Sequence, residues 1–264
     1  MNITLPYNKD EVTIILEGKI RFDNLNLKNT VQKYKKLCKQ IIISSYIDDH
    51  FESQLQEICP NIIVLRHNIK KVQKITDLKY GRLPDRHGNI MFRKGGFQQF
   101  FHMESALPFV KTPYIIKTRV DQEFSNLSYF IHETILNSQS QKITLFPYYV
   151  RGASLFKYHP SDMLIGSTTK LMKDIFLPEE FLSMRIEMNL LAEQAIYKGY
   201  IDKKAKELNT KNVDDMNDEE YAEFMSRLFN IVNAKKLEPY FVHGVWNNFN
   251  DAKYKKYDES CNDN

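Results

Sequence analysis

Cysteine is scarce. Three occur among 264 residues, Cys38, Cys59 and Cys261, and none forms a CxxC pair. Neither a disulfide framework nor a zinc site is therefore expected, and a reducing compartment fits. No run of 18 apolar residues occurs, so the sequence offers no membrane-spanning helix. The opening MNITLPYNKDE lacks a basic segment followed by an apolar run and does not read as a signal peptide. Charge of one sign is missing too. Lys and Arg total 37 against 33 Asp and Glu, interleaved along the chain, which speaks for a solvated surface and against nucleic-acid binding. There is no internal repeat and no low-complexity segment. The RKGG at 93–96 has neither P-loop spacing nor a dinucleotide fingerprint. A soluble cytoplasmic protein is the expectation.

What is present is ordinary globular material, 42% hydrophobic and 27% charged, rich in Tyr and Phe. Its length suits one domain over 1–250 with a polar tail at 251–264. Short β-branched runs predict strands over 11–18, 40–46, 61–67, 114–120, 142–150 and 161–167. Between them lie helical patterns: Leu27, Val31, Tyr34 and Leu37; Phe51, Leu55 and Ile58; Phe97, Phe100, Phe101 and Leu107. Further helices are expected over 125–136, 169–176, 185–200 and 217–233, the last opened by an Asn217/Glu220 capping box. The stretch 68–96 reads as a long loop, and 238–246 as a short aromatic strand or loop. Alternating strands and helices predict an α/β fold, Rossmann-like, with a mostly parallel central sheet flanked by helices. Ligands of such sheets bind beyond the carboxyl ends of the strands.

One strand end stands out, the YIIKTRVDQEF of 114–124. Alternate residues of an extended chain share a face, so Lys117, Arg119, Asp121 and Glu123 are expected on one side and Tyr114, Ile116, Thr118 and Val120 in the core. Two carboxylates at i and i+2 suit a hard cation such as Mn²⁺ or Mg²⁺, and flanking cations suit phosphates. The plain alternative is a salt-bridge cluster of Arg119 with Asp121 or Glu123.

The segment resembles the central motif of WavE-type lipopolysaccharide synthesis proteins, a GT-A-like glycosyltransferase group with relatives in bacteria and large DNA viruses. VTIILEGKI, IIISSY, GGFQQFFHMESAL, HPSDMLIGS and LAEQAIY come in the order of that family's further segments. The chain departs from the pattern where an Asn is expected ahead of the Gln of the aromatic helix. The resemblance implies a nucleotide-diphosphate sugar donor, a saccharide or glycan acceptor, and a divalent metal, Mn²⁺ or Mg²⁺, on an Asp-x-Asp motif. In one register Asp121 and Glu123 form that pair. In the other Asp121 fills the last place and Arg119 stands where the first carboxylate would be.

Glu17, Gly18, Ser44 and Ser45, at the ends of the first two strands, would lie by the base and ribose of the donor. Gln99, Lys117, Arg119 and Asp121 complete the donor-binding set. His243 is a candidate third metal ligand; otherwise it packs among Tyr240, Phe241 and Trp246. Glu193, ranked ahead of Asp162, is the candidate carboxylate that takes the acceptor proton, with a solvent-facing helical Glu as the alternative; Asp162 is the competing base, or else binds an acceptor hydroxyl or caps the following turn. Two other functions fit an α/β scaffold: a nucleotidyltransferase that forms sugar nucleotides, and a non-catalytic nucleotide-sugar or glycan-binding module. Contact with a membrane surface stays open, because an acceptor can be lipid-linked.

Overall fold

A computed structural model describes residues 5–19, 24–47, 49–72, 83–84, 90–91, 96–147, 157–177, 192–237 and 239–241. Its strands are β1 (Val12–Gly18), β2 (Gln40–Ser45), β3 (Ile63–Arg66), β4 (Leu83–Pro84), β5 (Ile90–Met91), β6 (Tyr114–Arg119), β7 (Gln122–Phe124), β8 (Ile143–Leu145), β9 (Leu164–Thr168), β10 (Phe229–Ile231) and β11 (Pro239–Phe241). Its α-helices are α1 (Asn24–Tyr34), α2 (Asp49–Ile58), α3 (Gly96–Ala106), α4 (Leu127–Ser138), α5 (Thr169–Phe176), α6 (Ala192–Glu207), α7 (Asp218–Leu228) and α8 (Ala234–Leu237).

Seven strands form one sheet in the order β10-β8-β9-β6-β1-β2-β3. Neighbouring pairs are parallel except at β9, which runs against both β6 and β8. The mostly parallel α/β architecture read from the sequence is therefore the architecture found. Helices cover both faces, as the strands' two-sided hydrophobicity requires. Val12, Ile14, Leu16, Ile41, Ile43 and Ile116 pack with Leu27 and Val31 of α1, Phe51 of α2 and Phe130 of α4. Ile15, Ile42, Ile115 and Ile165 face the other way, onto Phe100 and Met103 of α3 and Tyr197 of α6. Among the described residues no helix is long and apolar enough to cross a membrane.

Three local readings change. The helix expected over 217–233 stops at Leu228, and the next three residues form β10, parallel to β8. Phe229 sets its ring against Tyr197 and Tyr200 there, so packing on α6 overrides a helical spacing that ran on to Val232. The strand at 114–124 is broken: β6 ends at Arg119, a turn takes Val120 and Asp121, and Glu123 belongs to the separate strand β7. Of the long loop at 68–96, the described part includes a helical turn at 69–72 and the β4–β5 pair.

The reversed strand shapes the edge of the sheet. Because β9 opposes β6, with Thr118 beside Leu164, the segment that enters β9 arrives where β6 ends. Asp162 is thereby carried to the carboxyl edge of the parallel strands.

Candidate active site

The register of the sheet aligns three polar residues on the α3 face. Glu17 of β1 lies beside Ser44 of β2 on one side and Arg119 of β6 on the other. Two residues before Arg119, Lys117 points the same way, beneath α3. Its side chain is 0% exposed, and all three of its N–H bonds are used within the protein. Lys117 Nζ stands 3.0 Å from Glu17 Oε1, donates to Gln99 Oε1 at 2.7 Å, and donates to the Asp162 main-chain oxygen. Gln99 Nε2 in turn donates to Asp162 Oδ2. The chain Glu17–Lys117–Gln99–Asp162 thus ties β1, β6, α3 and the entry to β9 together. In this geometry Lys117 holds Glu17 directly and Asp162 through its main-chain oxygen and Gln99, with no N–H left for a further partner.

Arg119 behaves differently. Its Nε and one Nη donate to the two Asp121 oxygens at 2.9 and 3.0 Å, a two-pronged contact. The Arg119 side chain keeps 26% of its surface exposed, whereas that of Asp121 keeps 5%. Burial alone would lower the guanidinium's pKa. The Asp121 hydrogen bonds and the charges of Asp121, Glu17 and Asp162 outweigh it and hold Arg119 above its ordinary value, so it is a permanent cation.

A second cluster adjoins the Ser44 end. Ser44 Oγ lies 2.8 Å from His67 Nε2 and 3.0 Å from His102 Nδ1. A hydroxyl has one proton, so one imidazole accepts from Ser44 and the other donates to it. Burial pushes both rings down to about 4, helped by His102 in the case of His67 and by the Lys117 charge in the case of His102. Both are neutral at pH 7. His102 Nε2 and the Tyr46 hydroxyl are buried without a hydrogen-bond partner among the described residues, their rings 5.2 Å apart edge to face. Burial and then the Glu17 charge push the Tyr46 hydroxyl up to about 12.

The rule that ligands bind beyond the strands' carboxyl ends points at His67, though no role was read for it, and sequence reasoning missed His102. The spacing did hold a signal for the second: Gln99, His102, Met103 and Ala106 recur at three and four residues and are all buried. They form the face of α3 that meets β1 and β2.

Gly18 closes β1 with φ of +104°, and a Cβ there would meet nothing within 4 Å. Its backbone conformation, not close approach of a neighbour, is what favours glycine. The Ser45 hydroxyl donates to the Gly18 carbonyl at 2.6 Å and so ties the ends of β1 and β2. Asp162 is 6% exposed, and among the described residues its Oδ1 accepts no hydrogen bond. Glu123 is held by α1: Lys33 pairs with Oε1, and Thr30 donates to Oε2 at 3.3 Å. Glu193 falls in the first turn of α6, where Gln194 donates to the Lys157 carbonyl, and in the next turn Tyr197 donates to that of Ser161, each at 2.7 Å. Those turns therefore run along the segment leading to Asp162, although the Glu193 side chain lies outside the described set. His243 lies outside the described residues.

Among the described residues no group of three or more His, Cys, Asp or Glu side chains is arranged to hold a metal ion. The carboxylates expected to do so are engaged elsewhere, Asp121 by Arg119 on both oxygens and Glu123 by α1.

No family model and no curated protein matches the chain. Among solved structures it is similar to mouse xyloside xylosyltransferase 1 in its apo form, at 10% identity over 85% of each chain with a TM-score of 0.40. A second is the galactosyltransferase LgtC in complex with donor and acceptor sugar analogues, at 9% identity over 71% of this chain and 70% of that one, TM-score 0.46. A third is 4-diphosphocytidyl-2C-methyl-D-erythritol synthase from Anaerococcus prevotii, at 10% identity over 85% of this chain and 87% of that one, TM-score 0.41.

Proposed function

We propose that the chain is a GT-A-like glycosyltransferase that moves a sugar from a nucleotide-diphosphate donor to a saccharide hydroxyl, with inversion. The observation that carries this reading is the Arg119–Asp121 pair at the carboxyl edge of β6, with Asp162 brought to the same edge by the reversed strand β9. Sugar transfer needs both kinds of group. The bond from the anomeric carbon to the phosphate oxygen breaks with its electron pair passing to the diphosphate, and a cation there stabilises the charge that builds. The acceptor oxygen forms the new bond as it gives its proton to a carboxylate. Asp162, with Oδ2 fixed by Gln99 and Oδ1 left for a hydroxyl, fits that second role. The resemblance of YIIKTRVDQ to WavE-type proteins supports the same assignment.

The test is a panel of nucleotide sugars offered to the purified protein, first for thermal shift and then for hydrolysis or transfer to simple saccharides. A stabilising nucleotide sugar that is turned over, with turnover lost in Asp121→Ala, is expected. Turnover at the parent rate in Asp121→Ala would overturn the site. Pyrophosphate released from a nucleoside triphosphate and a sugar phosphate would assign the chain to nucleotidyl transfer instead.

A further inference from the structure

A divalent ion such as the Mn²⁺ or Mg²⁺ expected from the sequence needs oxygen ligands free to turn towards it. Each carboxylate at this edge already has a partner on at least one oxygen. Asp121 gives both oxygens to Arg119, Glu17 meets Lys117, Asp162 gives Oδ2 to Gln99, and Glu123 is drawn onto α1. Asp162 Oδ1 is left over, but among the described residues no three His, Cys, Asp or Glu side chains gather to hold a metal, so the described donor set does not fit one. It fits a site whose positive charge is supplied by the chain itself.

We infer, resting on the transferase reading above, that the cation meeting the diphosphate of the ligand is the Arg119 guanidinium, held by Asp121 in the place where a metal is expected. A guanidinium has five N–H bonds. Two point at Asp121, and the remaining three have no partner among the described residues. Lys117, the neighbouring cation, has none to spare and no exposed surface. Arg119 alone of the two can reach an anion, and its planar fork matches two phosphate oxygens at once. Asp121 is then a positioning residue. It fixes the plane of the guanidinium and keeps it from swinging into solvent. Added Mn²⁺ would compete with Arg119 for Asp121 rather than complete the site.

Inorganic pyrophosphate is the probe, titrated calorimetrically into the full chain in EDTA and again in Mn²⁺, with free Mn²⁺ followed by electron paramagnetic resonance. Binding in EDTA is expected, little changed by Mn²⁺. Arg119→Gln should weaken it about 10- to 100-fold, the worth of one or two charge-assisted hydrogen bonds. Because that change leaves Asp121 buried without its partner, Arg119→Gln/Asp121→Asn serves as the folded control and should be equally weak. Arg119→Lys, which keeps the charge and loses the fork, should fall between. Three results would overturn the inference: pyrophosphate bound only with Mn²⁺ present, tight Mn²⁺ binding abolished by Asp121→Asn, or no pyrophosphate binding under either condition. Arg119-dependent binding in EDTA without transfer from any nucleotide sugar would sink the transferase reading and leave this one intact. Transfer that requires Mn²⁺ would do the reverse.

Discussion

Lys117 Nζ and Glu17 Oε1 stand 3.0 Å apart with 0% and 2% of their side chains exposed. A buried pair of this kind repays its desolvation only with further hydrogen bonds, which Gln99 and the Asp162 carbonyl supply. Removing one partner is far costlier than removing both. Lys117→Met should lower unfolding free energy by about 3–5 kcal/mol. Adding Glu17→Gln should return part of that loss. Urea unfolding of the two variants reads this directly, and an unchanged midpoint for Lys117→Met would contradict the pairing.

The two histidines on Ser44 make stability depend on pH. Their folded pKa of about 4 lies below the ordinary 6.5, so between those values the unfolded chain binds protons that the folded one refuses. Their stabilising effect is complete above about pH 6.5 and is lost as pH falls towards 4. Thermal midpoints between pH 7 and 4.5 should decline, and His102→Gln should flatten the decline. A slope indifferent to that change would refute the assignment. His67, being half-buried, should have the smaller share.

Asp162 and Glu193 can be separated by turnover. Asp162→Asn should reduce kcat by about 10²- to 10⁴-fold, the usual worth of a positioned general base, while Glu193→Gln should change it far less. The opposite pattern, in steady-state rates under saturating donor, would transfer the role to Glu193.

Gly166 sits in β9 where it crosses α4. A Cβ built there would collide with Thr134 Oγ1 and lie 2.8 Å from Phe130 Cε1. Gly166→Ala should therefore destabilise by about 1–3 kcal/mol. Thr134→Ala in the same chain should recover some of it, since one of the two clashes is then gone. Chemical denaturation of the single and double variants decides the matter.

Much of this architecture is legible in the residues. Isoleucine-rich runs mark β1 and β2 because a parallel strand buried on both faces has little room for anything else. The capping box of α7 is visible as Asn217 and Glu220, and both of its hydrogen bonds are present. What alternation could not show is the turn at Val120 and Asp121, which separates Glu123 from Asp121 and turns it to α1. Nor could it show that Lys117 lies in the core. Residue type suggests surface, and only the partners from α3 and the β9 entry make burial tolerable. His67 and Ser44 meet across two strands 23 residues apart, a distance at which local spacing carries no information.

The reversal of β9 has a consequence for how such a protein can diversify. Six strands deliver their ends to the edge where Arg119 stands, but β9 delivers its beginning. Insertions or deletions just ahead of Asp162 would reshape what the edge can grasp while leaving the sheet intact. The same changes after Thr168 would fall at the opposite end of the sheet, beside Tyr114 where β6 begins. Novelty at this edge can thus be acquired through chain that comes before a strand, where a uniformly parallel sheet would offer only the chain beyond each strand's end.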